Sequence, residues 1–309
     1  MILINTAVAL IVFNRPETTR KVLEAIRLAA PKYLYVIADG PRKGNLNDEK
    51  QCQLVKDVID EVDWDCEVIK NYSDINLGCG KRPASGIDWV FEQEDECIIL
   101  EDDCLPTPSF FSFCENLLKK YRYDKRVMMI SGNHHLLQKQ DVEDSYFFSR
   151  HTQTWGWATW KRAWNYYDYD MASWPKVKKS NLLESIYNSK RCARSWTKLF
   201  DQCYQDKNKD YWDFQWTFCC LAQNALNIIP DRNLVSNIGF GHEGGTHFAG
   251  SDAPFANLPV CEMVFPLRHP TVMVPNFKAD HQIQIDVYGQ ISLPKRIAKK
   301  FKSIFIRKG

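Results

Sequence analysis

CIILEDDCLPTPSFF, residues 97–111, is the stretch from which the fold is read. Cys97-Ile98-Ile99-Leu100 is a short apolar run with the length and character of a buried strand. It stops at Glu101, Asp102 and Asp103. Three adjacent carboxylates at the carboxyl end of a buried strand repel one another, and they stay ionised together only with a positive charge among them. Pro106 and Pro108 then end the strand, and an apolar-periodic helix begins near Ser109. Ligands of open α/β sheets bind at the carboxyl ends of strands. Acids at that place suggest a hard divalent cation holding a phosphate-bearing ligand. The plainer reading is an acidic loop on a sheet edge.

Upstream, the same strand–helix grammar repeats. Residues 7–13 are near-continuously apolar, Pro16 suits a first helical turn, and Val22, Leu23 and Ile26 give that helix an apolar face. Residues 33–38 form a second strand ending at Asp39-Gly40-Pro41, followed by a helix over about 48–61. A third strand, 66–69, leads to the turn at 76–80 and a helix carrying Ile87, Val90 and Phe91. After the acids come a helix over about 109–121 and a strand at 127–131. This alternation predicts an α/β fold with a mixed, mostly parallel sheet and helices on both faces. The second half is richer in aromatics. It contains TWGWATWKRAWNYYDYD (154–170), a helical stretch near 182–206, YWDFQWTFCCLAQNAL (211–226), a short strand pair around 228–236 and the Gly/His loop GFGHEGGTHFAG (239–250).

With 309 residues, 45% of them hydrophobic, the chain can bury a large core as one domain or two closely packed ones. The expected organisation is one domain over 1–250, with a ligand-binding half (1–131) and an aromatic half (132–250). A Pro-punctuated segment at 251–292 then wraps the surface, and a basic tail covers 293–309. No apolar run approaches the ~20 residues of a membrane span. The apolar N-terminus lacks a basic leader and runs straight into a strand–turn–helix pattern, so it reads as the first core strand. Eleven scattered cysteines without a CxxC pair read as reduced, mostly buried thiols of a cytoplasmic protein. Residues 293–309 carry seven Lys/Arg and no acid, so a chain of net charge +2 leaves a body at −5. Such a body is not a nucleic-acid binder.

Four strand ends therefore gather Asn14-Arg15, Asp39, the 76–81 turn and the acid triplet. An Arg can pair with phosphate, and a carboxylate can accept from a base N–H or a ribose hydroxyl. That set makes a plausible nucleotide-diphosphate site. Here the residues carry a resemblance. ALIVFNRPETTRKVLEAI (9–26), VIADGPR (36–42), ILEDDCLPTPSFFSF (99–113), YWDFQW (211–216) and, more weakly, SNIGFGHEGGTHF (236–248) resemble glycosyltransferases of the GT-A fold. The N-acetylglucosaminyltransferase I type and bacterial relatives among surface-polysaccharide enzymes are the nearest in pattern. The resemblance implies a GT-A-like fold and an inverting transfer of a sugar, with N-acetylglucosamine as one donor sugar. The donor would be UDP-linked, the cofactor Mn²⁺ or Mg²⁺, and the acceptor a glycan or a lipid-linked glycan. It implies that Glu101 and Asp102 contact the nucleotide, that Asp103 is the protein's main metal ligand, that Arg15 and Asp39 help hold the nucleotide, and that Asp213 is the catalytic base. The Gly/His loop and residues 251–309 do not match the eukaryotic enzymes, so the acceptor's identity does not carry over.

The residues support Asp213 separately. Inverting sugar transfer needs a carboxylate beside the acceptor hydroxyl, across the anomeric carbon from the departing diphosphate. Asp213 lies between Trp212 and Phe214 before a helical apolar run. It can equally be a helix N-cap, and both roles can coexist. Trp157, Trp160 and Trp164 are spaced as a buried helix face or as a sugar-stacking platform. Trp155 precedes that helix and, with Trp212 beside Asp213, is the better binding candidate. His134 and His135 follow a strand end and read as loop histidines near a charged site, with metal binding as the other role. His242 and His247 sit among glycines whose backbone N–H groups can wrap a diphosphate, or else form a surface loop. In the tail, Ile297, Phe301, Ile304 and Phe305 share one helical face with lysines elsewhere. That helix either lies on an anionic membrane, at its inner face, or packs as a solvated terminal helix. Two other functions compete: a sugar-1-phosphate nucleotidylyltransferase, and a non-catalytic glycan-binding protein on a transferase fold. The first expects a Gly-rich loop where Phe13-Asn14-Arg15-Pro16 stands. The second does not account for three acids plus Asp213.

Overall fold

The computed structural model describes residues 3–135, 143–240, 258–286 and 288. The first part alternates as expected: β1 (Ala7–Val12), α1 (Pro16–Ala29), β2 (Tyr33–Ala38), α2 (Leu46–Ile59), β3 (Glu67–Tyr72), α3 (Gly78–Gln93) and β4 (Glu96–Glu101). Next come β5 (Cys104–Pro106), α4 (Pro108–Tyr121), β6 (Val127–Ser131), β7 (Tyr146–Ser149), β8 (Trp157–Trp160) and α5 (Lys161–Trp164). The remainder is α6 (Trp174–Lys179), α7 (Leu182–Tyr187), α8 (Lys190–Gln205), α9 (Asp213–Ala222), β9 (Leu226–Pro230), β10 (Val235–Asn237) and α10 (Phe277–Asp286).

Eight strands form one sheet in the order β3-β2-β1-β4-β8-β6-β9-β7. Strands β3, β2, β1 and β4 run parallel, and so do β6 and β9. β8 is antiparallel to both β4 and β6, and β7 is antiparallel to β9. A small second sheet pairs β5 with β10. All six residues of β1 are buried, as a strand covered on both faces must be. Its alternate side chains sort into two layers. Val8, Leu10 and Val12 pack with α1, α2 and α4, through Val22, Ile26, Val55, Phe110 and Leu117. Ala7, Ala9 and Ile11 pack with α3, α5 and α9, through Ile87, Phe91, Trp164 and Trp216. The structure is thus mixed α/β with helices on both faces of a mostly parallel sheet, the expected class.

Two expectations need correction. Trp157 to Trp160 is a strand, not a helix. Three residues apart in a strand places side chains on opposite faces, and Trp157 joins one core layer while Trp160 joins the other. Pairing of β8 on both edges overrides the helical spacing. Trp155 consequently precedes a strand. The strands near 228–236 do not pair with each other: β9 lies in the main sheet and β10 in the small one. Within the Pro-punctuated segment, 277–286 is helix α10. Asp280 of α10 accepts from Ser149 Oγ (2.5 Å) and the Arg150 amide (3.0 Å), and Ala279 and Ile283 pack on Phe147 and Ile229. All eleven cysteines are free thiols, seven of them buried, matching the sequence reading.

Candidate functional site

The carboxyl ends of β1, β2 and β4 and the loop entering β8 open into one cavity of about 810 Å³. Arg15, Asp39, the Glu101–Asp103 triplet, Trp212 and Asp213 all line it. Seven of the eight residues expected at the site therefore meet in one place. The eighth, His242, lies outside the described residues, as do His247 and the tail at 293–309.

The positive charge that the triplet demands comes first from Arg15. Its guanidinium bridges Asp102 and Asp103, with Nη1 donating to Asp103 Oδ2 at 2.8 Å. Arg15 sits at the N-cap of α1, where its carbonyl accepts from the Thr19 amide (3.0 Å) and Thr19 Oγ1 (2.7 Å), so its backbone is fixed. Asp102 also accepts from the Phe13 amide at 3.2 Å, which ties the end of β4 to the end of β1. Burial pushes Glu101 up to about 8, helped by Asp103 and Asp102. Burial pushes Asp102 up to about 6, with Arg15 pulling the other way. Burial opposes the Arg15 charge, but Asp102 and Asp103 outweigh it and hold the guanidinium protonated. The Asp103 carbonyl accepts from the Ile238 amide at 2.8 Å, which carries the strand end of β10 over the acids. Gly239 follows. A Cβ there would come closer to Asp103 Oδ2 than van der Waals contact allows and lie 2.8 Å from Arg15 Nη1, so a side chain at this position would push the paired Asp103 and Arg15 apart.

Asp39 holds the adjoining turn. It accepts from the Gly40, Leu77 and Gly78 amides, each at 2.9 Å, and from Asn76 Nδ2 at 3.0 Å. Burial raises its pKa, and the three amides oppose that shift. A nucleotide contact at Asp39 would share oxygens that already organise the start of α3. The next amide, Cys79, donates to Asp210 Oδ1 at 2.8 Å. A Cβ at Gly80 would lie 2.5 Å from the Lys209 carbonyl oxygen, so the start of α3 packs directly on the segment leading into α9.

Asp213 is the first residue of α9, and the N-cap is Trp212, whose side chain makes no capping bond. The side-chain N-cap alternative is thereby displaced by one residue. A carboxylate in the first helical turn is still favoured by the helix dipole. Its charge reaches Glu101 and Tyr288, raising both. Trp212 stacks on Trp157 at 5.5 Å and 23°. Beyond Asp213 the cavity wall is aromatic, with Tyr211, Phe214 and Tyr288. Tyr288 packs against Trp196 (4.6 Å) and His151 (5.5 Å), so its ring closes this side.

Of the two adjacent histidines, His135 lines the cavity and His134 does not. Burial lowers His135 to about 3 and His134 to about 4, so both rings are neutral at ordinary pH. His135 meets the edge of Trp155 at 4.5 Å, and Trp155 meets Phe240 at 5.6 Å.

Sequence reasoning missed Asp48, Asp210, Gln153 and Tyr288. Fully buried Asp48 accepts from Asn14 Nδ2 (2.9 Å) and Arg42 Nη2 (2.8 Å), which joins the loops after β1 and β2. Arg42 holds its carboxyl down at about 2. The available signal was its place after the N-cap residue Asn45, whose Oδ1 accepts from the Asp48 amide at 3.1 Å. The other three had no local signal.

Among the described residues, no group of three or more His, Cys, Asp or Glu side chains is arranged to hold a metal ion. The donor set nevertheless fits a divalent cation that takes few protein ligands. Three carboxyl groups face the single guanidinium of Arg15 at one cavity wall, so acids outnumber the cation there. Mg²⁺-type ions commonly use one or two carboxylates and complete their shell with phosphate oxygens and water.

No family model matches this chain. No curated protein matches it either. Among solved structures it is similar to apo mouse xyloside xylosyltransferase 1, at 12% identity over 70% of this chain and 81% of that one, with a TM-score of 0.34. It is also similar to UDP-glucose pyrophosphorylase in complex with UDP-glucose (10% identity, 52% and 70% covered, TM-score 0.28). The apo form of a UDP-glucose pyrophosphorylase gives 8% identity, 73% and 90% covered, and a TM-score of 0.36. All three scores lie below 0.5, so function is read from the residues of the cavity itself.

Proposed function

We propose that this chain is an inverting, metal-dependent glycosyltransferase that moves a sugar from a UDP-linked donor to a glycan or lipid-linked acceptor. One observation carries the reading: an acid triplet that outnumbers its one guanidinium and a separate helix-opening carboxylate, Asp213, line the same cavity. The GT-A resemblance of the segments around these residues points the same way, with N-acetylglucosamine as the donor sugar it suggests.

In this reading Asp103 is the protein's ligand to Mn²⁺ or Mg²⁺, and Glu101, Asp102, Arg15 and Asp39 hold the nucleotide. The bound cation would stabilise charge on the departing diphosphate. Asp213 takes the proton from the acceptor hydroxyl as its oxygen attacks the anomeric carbon. The new C–O bond forms while the bond to the diphosphate oxygen breaks, UDP leaves, and configuration inverts. The dipole of α9 favours the ionised form that Asp213 needs. Trp212 and the Tyr211, Phe214 and Tyr288 wall give the acceptor apolar faces to stack on. Among the described residues no helix is long and apolar enough to cross a membrane. An acceptor held at the inner face of the membrane would be reached through the basic segment 293–309, in surface-polysaccharide synthesis.

The test is a panel of UDP-sugars with Mn²⁺, scored for UDP release with and without glycan acceptors, alongside calorimetry of UDP with wild type and Asp103→Ala. Metal-dependent release and lost UDP binding in the variant are expected. Unchanged UDP affinity in Asp103→Ala refutes the metal assignment. Formation of UTP from a UDP-sugar and pyrophosphate would establish the nucleotidylyltransferase instead.

A further inference from the structure

We propose that the outer face of helices α6, α7 and α8 docks on an anionic membrane surface, independently of the basic tail. Residues 174–200 hold seven Lys/Arg and one acid, Glu184, a net of +6. The chain carries +2 and the tail +7, so everything else sums to −11 (2 minus 6 minus 7). Positive charge is therefore segregated into two short stretches, and this one belongs to the described fold. Trp174, Leu183, Ala193, Trp196 and Phe200 bury the inner sides of the three helices in one core cluster. On α8, Lys190, Arg194 and Lys198 recur every four residues, a stripe set well round the helix from Ala193, Trp196 and Phe200. On α6, Lys176 and Lys179 lie on the side away from Trp174 and Val177. All five of these cations are exposed. Lys178 turns to α8 instead and pairs with Asp201 at 2.8 Å, which ties the two helices together. Lys190 lies 4.0 Å from Glu184. Lys176, Lys179, Arg191, Arg194 and Lys198 meet no carboxylate at ion-pair distance among the described residues. Like charges at i, i+4 repel on a bare helix, and an anionic partner removes that cost.

The chemistry of the face says what kind of partner. None of the seven Lys/Arg lines the cavity, so a phosphate bound there is not their partner. Five of the seven are lysines, hydrated point charges on flexible stems. Such charges build a diffuse field and not a forked site for one anion, which fits a plane of mobile anionic headgroups. The same plane repels the remainder at −11, which favours one orientation. That orientation suits the proposed reaction, on which this last step alone rests. Tyr211, Phe214 and Tyr288 of the cavity wall pack on the same core cluster as α6, α7 and α8. Docking by these helices brings the aromatic side of the cavity toward the bilayer, where a lipid-linked acceptor resides.

The test is co-sedimentation with phosphatidylcholine vesicles, with and without phosphatidylglycerol. One variant combines Lys176→Gln, Lys179→Gln, Arg194→Gln and Lys198→Gln. A control combines Lys21→Gln, Lys50→Gln, Lys119→Gln and Lys125→Gln, four exposed cations outside the face, so net charge changes equally. Wild type, variant and control are each compared with and without residues 293–309. The face variant should bind phosphatidylglycerol vesicles about tenfold to a hundredfold more weakly, whether or not the tail is present, and the control less than about threefold more weakly. Wild type should not bind pure phosphatidylcholine. A variant that binds as wild type does, or a control that loses as much, would overturn the proposal. So would unchanged vesicle binding with lost binding to heparin, which would assign the face to a soluble polyanion. Calorimetry of UDP with Mn²⁺ on the same proteins keeps the two readings apart: wild type that sediments with vesicles but binds no UDP would refute the transferase and leave the docking face standing.

Discussion

Replacing Arg15 by Met tests the electrostatic core of the site directly. The change keeps an unbranched chain but removes the cation that bridges Asp102 and Asp103. Breaking a buried ion pair from one side costs about 3–5 kcal/mol because a charge is stranded. Arg15 is 22% exposed at its side chain and Asp103 is 14% exposed, so solvent recovers part of this and about 2–3 kcal/mol is expected. For a chain of this size that corresponds to a fall in Tm of about 4–8 °C. The sign of the pH dependence follows from the raised carboxyl groups. Glu101, at about 8, and Asp102, at about 6, hold protons more tightly in the folded state than in the unfolded chain. Their contribution favours folding at low pH and is lost as pH rises through those values. Without Arg15 both rise further, so the deficit of the variant should be largest near pH 8 and smallest near pH 5. Mn²⁺ should raise the Tm of the variant more than that of wild type, since it supplies the missing charge. Differential scanning fluorimetry across pH 5–8, with and without Mn²⁺, reads all three effects. A variant as stable as wild type at pH 8, or a deficit that grows on acidification, would refute the reasoning.

Asp213→Asn keeps the size and the helical position but cannot take a proton; it should bind UDP with Mn²⁺ nearly as wild type does and transfer sugar about a hundredfold or more slowly. Transfer at a normal rate, or a product of retained configuration, would remove the single-displacement mechanism. Gly239→Ala forces a methyl group onto Asp103 and Arg15, so it should cost about 1–3 kcal/mol of stability and weaken UDP binding, whereas an unchanged melting curve would mean the loop moves aside freely. Deleting 293–309 should reduce co-sedimentation with anionic liposomes, and wild-type binding should weaken with salt because the attraction is screened over a Debye length of about 8–10 Å; equal sedimentation of both forms removes the membrane contact.

What the sequence shows best is what sheet burial dictates. β1, β2 and β4 are continuous apolar runs because both their faces are covered, and the polar residues that follow them mark the open edge. The acids and Arg15 were each legible, but their pairing was not, since 87 and 88 residues separate the partners. Asp213 stood out through its aromatic neighbours. The Trp157–Trp160 segment did not, because a spacing of three suits a helix face as well as two opposite faces of a strand. Only the partners β4 and β6 decide between them. Gln153 and Tyr288 take their places from tertiary packing alone, and nothing adjacent in the chain marks them.

The reversed direction of β8 has a consequence for how such a protein can diversify. A parallel strand contributes to the open edge with the loop that leaves it. β8 contributes with the loop that enters it, 152–156, while its far end is committed to Glu96 and Cys97 at the opposite rim. Loop 152–156 is therefore covalently separate from the strand ends that gather the acids and from the turn after β3. Substitutions in 152–156 can reshape one wall of the cavity while the acids and Arg15 at the ends of β1, β2 and β4 stay untouched. Two selection pressures thus act on two different pieces of chain that meet only in space.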